Sequence, residues 1–341
     1  MSRVLITGAG GYIGRLLGER LAEGHTVLGL DVRVPPGLPF DCREGDIRDP
    51  ALGELLREQR IDTVVHLAAV LEDSGDRARD YDIDVNGTRN VLDACLSAGV
   101  GQLIVTSSGA AYGYHPDNPA WLDEQDPLRG NPEFAYSDHK RLVEEMLADY
   151  RQRHPALRQL ILRPGTVLGE GTRNQITALF ERKRILAIAG ADSPFVFIWD
   201  RDVVGAIVRG VETGAEGVYN LAGDGALGVR QVAAMLDKPV LVLPAGLLRA
   251  ALGLGHRLGL TPHTPDKLNF LRYRPVLSNR RLKEEFGYRP EKTSEQVFRL
   301  FVDAAPVISV VVGAVIVASW PAPRPAWAGP WPGRRSRAAT V

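Results

Sequence analysis

Eight residues near the start of the chain constrain its fold more than any other feature. Thr7-Gly8-Ala9-Gly10-Gly11-Tyr12-Ile13-Gly14 is entered directly from the apolar run Val4-Leu5-Ile6. An apolar run that breaks into glycines and then resumes with helical periodicity is how a first strand delivers a nucleotide phosphate to a helix N-terminus. Gly8 permits the tight turn, Gly11 lets backbone N–H groups approach a pyrophosphate, and Gly14 lets the helix lie close on the strand. Tyr12 and Ile13 begin that helix and are candidate contacts to the same ligand. The spacing is G-x-x-G-x-x-G, which differs from the commoner G-x-G-x-x-G and so narrows the kind of dinucleotide site.

The rest of the first half fits that start. A helix is expected over Tyr12–Ala22, a second strand over His25–Leu30 ending in Asp31, and a weak third strand ending near Gly45. A helix at Leu52–Gln59, a strand from Thr63, a long helix at Ile83–Ala98 and a strand at Gln102–Thr106 follow. Phe134–Arg153 and Leu160–Arg163 complete the series. Strands alternating with helices of this length imply right-handed crossovers and a doubly wound parallel sheet of Rossmann type in an α/β fold. Beyond residue 165 the pattern changes: Pro and Gly become frequent, and strands such as Phe195–Ile198 and Gly217–Leu221 look isolated. The expected organisation is a Rossmann domain over 1–165, to which later segments return, and a smaller substrate lobe over 166–305. The apolar segment Leu241–Leu260 is expected to pack into the core of that lobe, or else to form a lid over a hydrophobic substrate.

Charge and cysteine content remove several function classes. The 41 basic and 41 acidic residues balance, so no basic face suggests nucleic acid. Cys42 and Cys95 have neither metal-ligand nor redox spacing, and a reduced, cytoplasmic protein without a metal is expected. With the glycine loop beginning at residue 8, no export signal is expected before it. Residues 306–341 form an apolar and then Pro/Arg-rich tail, expected to be poorly ordered. Its 14-residue stretch Val307–Trp320 would reach only about 21 Å as a helix, against roughly 30 Å of bilayer hydrocarbon. That is short for a membrane span; the alternative reading is a tail anchor with the arginines at the interface.

Asp31 ends the second strand, where a carboxylate accepts both ribose hydroxyls of an adenosine and repels a 2′-phosphate, favouring NAD over NADP. Asp46-Ile47, after the third strand, has one side chain for the adenine amino group and one for its face, though an aspartate in a loop is ordinarily a turn residue. Tyr136 and Lys140 are four apart on a helix and therefore share a face. A phenol's ordinary pKa near 10 makes it a poor base at neutral pH. Lowering such a value to about 7 takes roughly 4 kcal/mol, which a nearby ammonium and a positive nicotinamide ring can supply. Ser108, at the end of Ile104–Thr106 and its serine pair, can hold a substrate oxygen beside that tyrosine. Taken singly, each of these residues reads as a surface or turn residue; their order after the glycine loop reverses that reading.

Together TGAGGYIG, Asp31, HLAA (66–69), NGT (86–88), VTSSGAAYG, Tyr136-x-x-x-Lys140 and Arg163-Pro164-Gly165 resemble the extended short-chain dehydrogenase/reductases. More narrowly, they are similar to the NAD-dependent epimerase/dehydratase family, over about residues 1 to 300. The resemblance implies NAD and a catalytic set carried by Ser108, Tyr136 and Lys140. It also implies cofactor contacts from Leu67, Ala68, Ala69, Thr106 and Pro164, a helix ordered by Asn86, and a homodimer formed by the helices holding Asn86 and Tyr136. Gly109, Ala110, Asn174 and Arg274 fall where substrate contacts would lie, the last two standing in for a nucleotide-contacting asparagine and a diphosphate-binding arginine.

Two departures matter. Ala110 and Ala111 replace the acid pair with which dehydratases remove a hydroxyl, and the strand around Phe197 lacks the arginine of UDP-sugar epimerases. The expected activity is hydride transfer to or from a secondary alcohol or ketone of a sugar or nucleotide-sugar. Epimerisation and net dehydrogenation stay open. The alternatives are a 3β-hydroxysteroid dehydrogenase-like enzyme for a hydrophobic substrate and a non-catalytic NAD-binding sensor or scaffold.

Overall fold

Short apolar runs in the first half become parallel strands because helices cover both faces of the sheet they form. The computed structural model describes residues 1–71, 74–261 and 264–304; the expected tail at 306–341 lies outside the described residues. Along the first half run β1 (Arg3–Thr7), α1 (Tyr12–Ala22), β2 (Thr26–Asp31), β3 (Asp41–Glu44), α2 (Leu52–Glu58) and β4 (Thr63–His66). They are followed by α3 (Arg77–Tyr81), α4 (Gly87–Ala98), β5 (Gln102–Thr106), α5 (Ala135–Arg153) and β6 (Arg158–Pro164). The second half holds β7 (Thr166–Leu168), α6 (Gln175–Phe180), β8 (Ile185–Ile188), β9 (Phe197–Trp199), α7 (Asp200–Thr213) and β10 (Gly217–Leu221). It ends with α8 (Val229–Met235), β11 (Val240–Leu243), α9 (Ala245–Arg257), α10 (Leu268–Arg272), α11 (Arg280–Glu284) and α12 (Ser294–Ala304).

The seven-stranded sheet has the order β10-β6-β5-β4-β1-β2-β3, with every pairing parallel. The order reverses between β1 and β4, which opens a crevice at the carboxyl ends of those strands. Alternate residues explain why β1 is apolar throughout. Leu5, Leu28, Val64, Leu103 and Ile161 face α2, α4 and α5, while Val4, Ile6, Val65, Ile104 and Leu160 face α1 and α7. A third cluster, in which Phe180, Phe195, Phe197 and Phe298 pack among aliphatic residues, draws on the two small sheets β7–β9 and β8–β11 and on α12.

Four expectations change. Gly217–Leu221 is not isolated: as β10 it pairs with β6 from Gly217↔Leu160 to Leu221↔Pro164 and closes one edge of the sheet. The predicted Phe195–Ile198 strand forms only over Phe197–Trp199, and Phe195 instead bridges antiparallel to Leu227. The helix expected from Ile83 begins earlier, at Arg77, and passes through a π-turn at Asp82–Asn86 before continuing as α4. Finally, the apolar stretch that includes α9 is not packed into a core, since α9 contributes no buried residue.

Candidate active site

The glycine loop closes tightly on its neighbours. Gly8 has φ +73°, and a Cβ there would stand 2.8 Å from the Ala68 nitrogen. A Cβ on Gly14 would come within 2.3 Å of the Gly8 carbonyl oxygen. Gly11 is the N-cap of α1 and supplies no side-chain cap, and the first turn carries no acid. An uncapped, acid-free helix start reached by a glycine turn is a cradle for a pyrophosphate. Asp31 leans over the same loop: its Oδ2 accepts from the Gly10 N–H at 2.9 Å and its Oδ1 from the Arg33 N–H at 3.1 Å. Each oxygen keeps a second lone pair for ribose hydroxyls, so these residues fit a dinucleotide. Ile13 packs partly buried against the sheet. Tyr12 donates its hydroxyl to Asp200 across the loop, which fastens α1 to α7, and burial raises its pKa.

Asp46 and Ile47 each have a protein neighbour close by. Asp46 holds Arg48 through its backbone N–H, Nε and Nη2, at 2.9, 3.0 and 2.6 Å, and the hydrogen bonds to Arg48 hold its carboxyl below the usual range. Ile47 is buried, with its Cδ1 filling the space over Gly87. Asn86 is likewise turned outward by the π-turn, donating to Asp82 Oδ1 at 2.9 Å. Asp84 does the ordering that was expected of Asn86. It is buried, and its Oδ1 accepts from the Val70 N–H at 2.8 Å while its Oδ2 meets His139 Nδ1 at 2.9 Å.

A directional chain of hydrogen bonds runs behind this crevice. Thr88 Oγ1 donates to the Asp84 carbonyl at 2.5 Å, so toward His66 Nε2, 3.0 Å away, it can only accept. His66 therefore carries its proton on Nε2, and its Nδ1 accepts from Thr7 Oγ1 at 2.7 Å. Thr7 Oγ1 in turn accepts from the Ala68 N–H at 3.4 Å. Burial, with the Lys140 charge adding, pushes the His66 pKa down to about 3, in keeping with the neutral ring that this chain requires. Leu67 and Ala68, flanking the chain, thus lie against the glycine loop. HLAA and NGT had marked this region, but Thr7, Asp84 and the link between His66 and Thr88 had not been singled out.

Ser108, Tyr136 and Lys140 come from two elements that are pinned together. Ser108 is extended and caps the short turn Gly109–Tyr112, its Oγ accepting from the Ala110 N–H at 3.1 Å. Ser137, the residue after Tyr136, donates to the Ala110 carbonyl at 2.7 Å, which fixes the start of α5 against that turn. One helical turn on, Lys140 Nζ donates to the Thr106 carbonyl at 3.1 Å and stands 5.7 Å from the centre of the Tyr136 ring. The neighbouring serine is differently used. Ser107 donates to Glu144 at 2.5 Å, within a buried network in which Glu144 grips Arg163 and Arg163 reaches the Tyr112 hydroxyl at 2.8 Å.

Beside Ser108 opens a pocket lined by Gly109, Ala110, Tyr114, Pro164, Gly165, Thr166, Ile176, Phe195, Phe270, Arg274 and Leu277, among others. No carboxylate lines it among the described residues. Arg274 is its cation: Nη1 donates to the Ser193 carbonyl and hydroxyl at 2.9 and 3.0 Å, the guanidinium carbon lies 3.8 Å from the centre of the Phe195 ring, and Nε has no partner. Burial lowers its pKa to about 10, which leaves it charged at neutral pH. Asn174, by contrast, caps α6 by accepting from the Ile176 and Thr177 N–H groups. Its helix sends Ile176, not Asn174, to the pocket. His115, His139, Trp121 and Trp199 do not line the pocket. His115 bonds the Gly130 carbonyl, His139 is buried on Asp84, Trp121 is exposed, and Trp199 sits under Lys292. Tyr114 and Phe270 do line it and had no sequence signal of their own.

A parallel sheet that reverses beside a glycine-rich helix start, with serine, tyrosine and lysine at the adjoining strand end, defines an extended short-chain dehydrogenase/reductase. The NAD dependent epimerase/dehydratase family model matches residues 4–222. The chain belongs to that family and is an NAD-dependent enzyme of it. It is 25% identical over 308 residues to an uncharacterised protein of Mycobacterium tuberculosis strain H37Rv, a span of 86% of this chain and 82% of that one. The N-acetyl-α-D-glucosaminyl-diphospho-ditrans,octacis-undecaprenol 4-epimerase of Escherichia coli O157:H7 is 35% identical over 182 residues, 52% of this chain and 53% of that protein. Among solved structures, the UDP-glucose 4-epimerase of Thermus thermophilus in complex with NAD aligns with a TM-score of 0.68 at 27% identity, covering 89% of this chain and 98% of that one.

Proposed function

We propose that this enzyme epimerises a secondary-alcohol carbon of a sugar that is joined through a diphosphate to its carrier. Arg274 carries the reading: a partly buried, charged guanidinium, with an unpartnered Nε and no pocket carboxylate among the described residues to neutralise it, lines the pocket next to Ser108. Leaving such a charge uncompensated is costly, and a diphosphate is the ligand chemistry that repays it. The E. coli relative acts on a sugar diphosphate carried by a polyprenol, and the Thermus neighbour on one carried by uridine. The absence of a pocket carboxylate among the described residues, with Ala110 and Ala111 at the positions where dehydratases hold acids, favours epimerisation over dehydration.

NAD, when bound, takes up and returns a hydride. In this reading Ser108 Oγ donates to the substrate oxygen, and the Tyr136 phenol takes the hydroxyl proton and later gives it back. The Lys140 ammonium stabilises the negative charge passing through that phenol. The glycine loop, Asp31 and Leu67–Ala69 hold the dinucleotide. Residues from 166 onward supply the substrate side, and Pro164 marks the boundary between the two parts. We also propose a cytoplasmic homodimer that pairs α4 and α5, for which light scattering should give twice the chain mass.

The test offers UDP-sugars and polyprenyl-diphosphate sugars to the purified protein in deuterated water. Epimer interconversion without accumulating NADH, and without deuterium at the inverted carbon, is the expected result. Stoichiometric NADH would instead establish a dehydrogenase, and inertness toward every diphosphate-linked sugar would overturn the substrate class.

A further inference from the structure

Helix α9 presents an apolar face with no protein partner among the described residues. None of its residues is buried. Leu247, Leu254 and Leu258 are 60%, 61% and 61% exposed, and Leu260 just beyond is 68% exposed. At 100° per residue, positions 247, 254 and 258 fall within about 40° of one another, so they form a single stripe. Its charges have one sign: from Pro239 to Pro265 there is no acidic residue, while Arg249 and Arg257 lie within the helix. The chain as a whole is balanced at 41 to 41, so this stretch is a local departure.

We propose that this face docks on an anionic lipid surface, with the helix lying in the plane of the interface. Arg257 falls about 80° from the centre of that stripe, whereas Arg249 projects from the opposite side. Leucines on one stripe with a basic residue at its edge and no acid nearby are the pattern of an interfacial helix. Thirteen residues reach about 20 Å, too short to cross roughly 30 Å of hydrocarbon, and no helix among the described residues is long and apolar enough to span. Charge decides against the other occupants. A second copy meeting this face would bring the same acid-free stretch, with no carboxylate to pair Arg257. Residues 305–341 carry four arginines and no acid, the same sign again. Lipid phosphates supply the missing charge. Placement also fits: α9 packs on the turn Pro265–Lys267 and on α10, whose Phe270 lines the pocket with Arg274. Docking would thus bring the pocket mouth to the headgroup layer. This goes beyond the reading of the pocket and does not rest on it, since the test needs no substrate.

The test is co-sedimentation of the full chain with vesicles of phosphatidylcholine containing one quarter phosphatidylglycerol, and with pure phosphatidylcholine. Wild type should pellet with the anionic vesicles and much less with the neutral ones. Leu254→Glu/Leu258→Glu, and the milder Leu254→Gln/Leu258→Gln, should weaken binding by at least about tenfold, with thermal melting and NAD binding unchanged. Three results would each overturn the proposal: wild type that stays in the supernatant, variants that pellet like wild type, or a wild-type dimer that the variants convert to monomer without any dependence on vesicles.

Discussion

Tyr136 and Arg274 are the two side chains whose replacement separates chemistry from substrate recognition. Tyr136→Phe removes only the group that exchanges a proton. Turnover should fall by about 10²–10⁴-fold, the usual range for a positioned acid–base, while titration calorimetry shows unchanged NAD affinity. Arg274→Met removes the guanidinium that lies over Phe195 but keeps an apolar chain of similar reach. Loss of a charge-assisted hydrogen bond of about 1.5–3 kcal/mol should raise KM for a diphosphate-linked sugar by roughly 10–100-fold, with a smaller change in kcat. A KM unchanged in steady-state kinetics would remove the diphosphate from the argument. The sequence could point to Ser108 and Tyr136 because motif spacing encodes them. It could not show that Ser107 belongs to a buried ion-pair network, or that Asn174 caps α6, because both depend on partners far along the chain or on local turn geometry. Nor could it show that Arg48 and Gly87 are the neighbours that Asp46 and Ile47 meet.

Between β4 and the π-turn before α4, the histidine chain makes a prediction that belongs to both elements. His66 is neutral in the folded state, with its pKa lowered to about 3, whereas an unfolded histidine titrates near 6.5. Above that pH both states hold the neutral ring and the residue contributes no pH dependence. Below it the unfolded chain gains a proton that the folded one refuses, so stability falls by up to about 1.4 kcal/mol per pH unit down to the folded value. Denaturant midpoints between pH 7 and pH 4 should show this slope in wild type and a shallower one in His66→Gln, whatever the latter's stability at pH 7. The alternation of elements was readable in the first half because helices on both faces of a parallel sheet leave long apolar runs. The π-turn was not, because it is a single widened turn inside a helical run, too short to impose an apolar period of its own. Nor was the exposure of α9: leucines at helical spacing look alike whether a core or a lipid surface faces them.

Across the whole molecule, one buried network joins the parts that the sequence suggested were separate. Arg163 on β6 is held by Glu144 on α5 and by Tyr112, and the Tyr112 hydroxyl donates to Asn220 on β10 at 2.8 Å. Glu144→Ala would leave the Arg163 charge buried and unpaired, which should cost about 3–5 kcal/mol. Urea unfolding would read that loss, and a cost under about 1 kcal/mol would mean that the network does not unite these elements.

The return of β10 to the sheet has a consequence for how the molecule is made. β6 ends at Pro164, but the strand that covers its outer edge does not begin until Gly217. As the chain leaves the ribosome at about 5–20 residues per second, the bare β6 edge therefore waits for several seconds. During that interval a row of unpaired amides and carbonyls is open to the same edge of a neighbouring nascent chain. The stretch from Thr166 to Glu216, which includes most of the pocket's far wall, thus sets the time during which this protein is most exposed to aggregation.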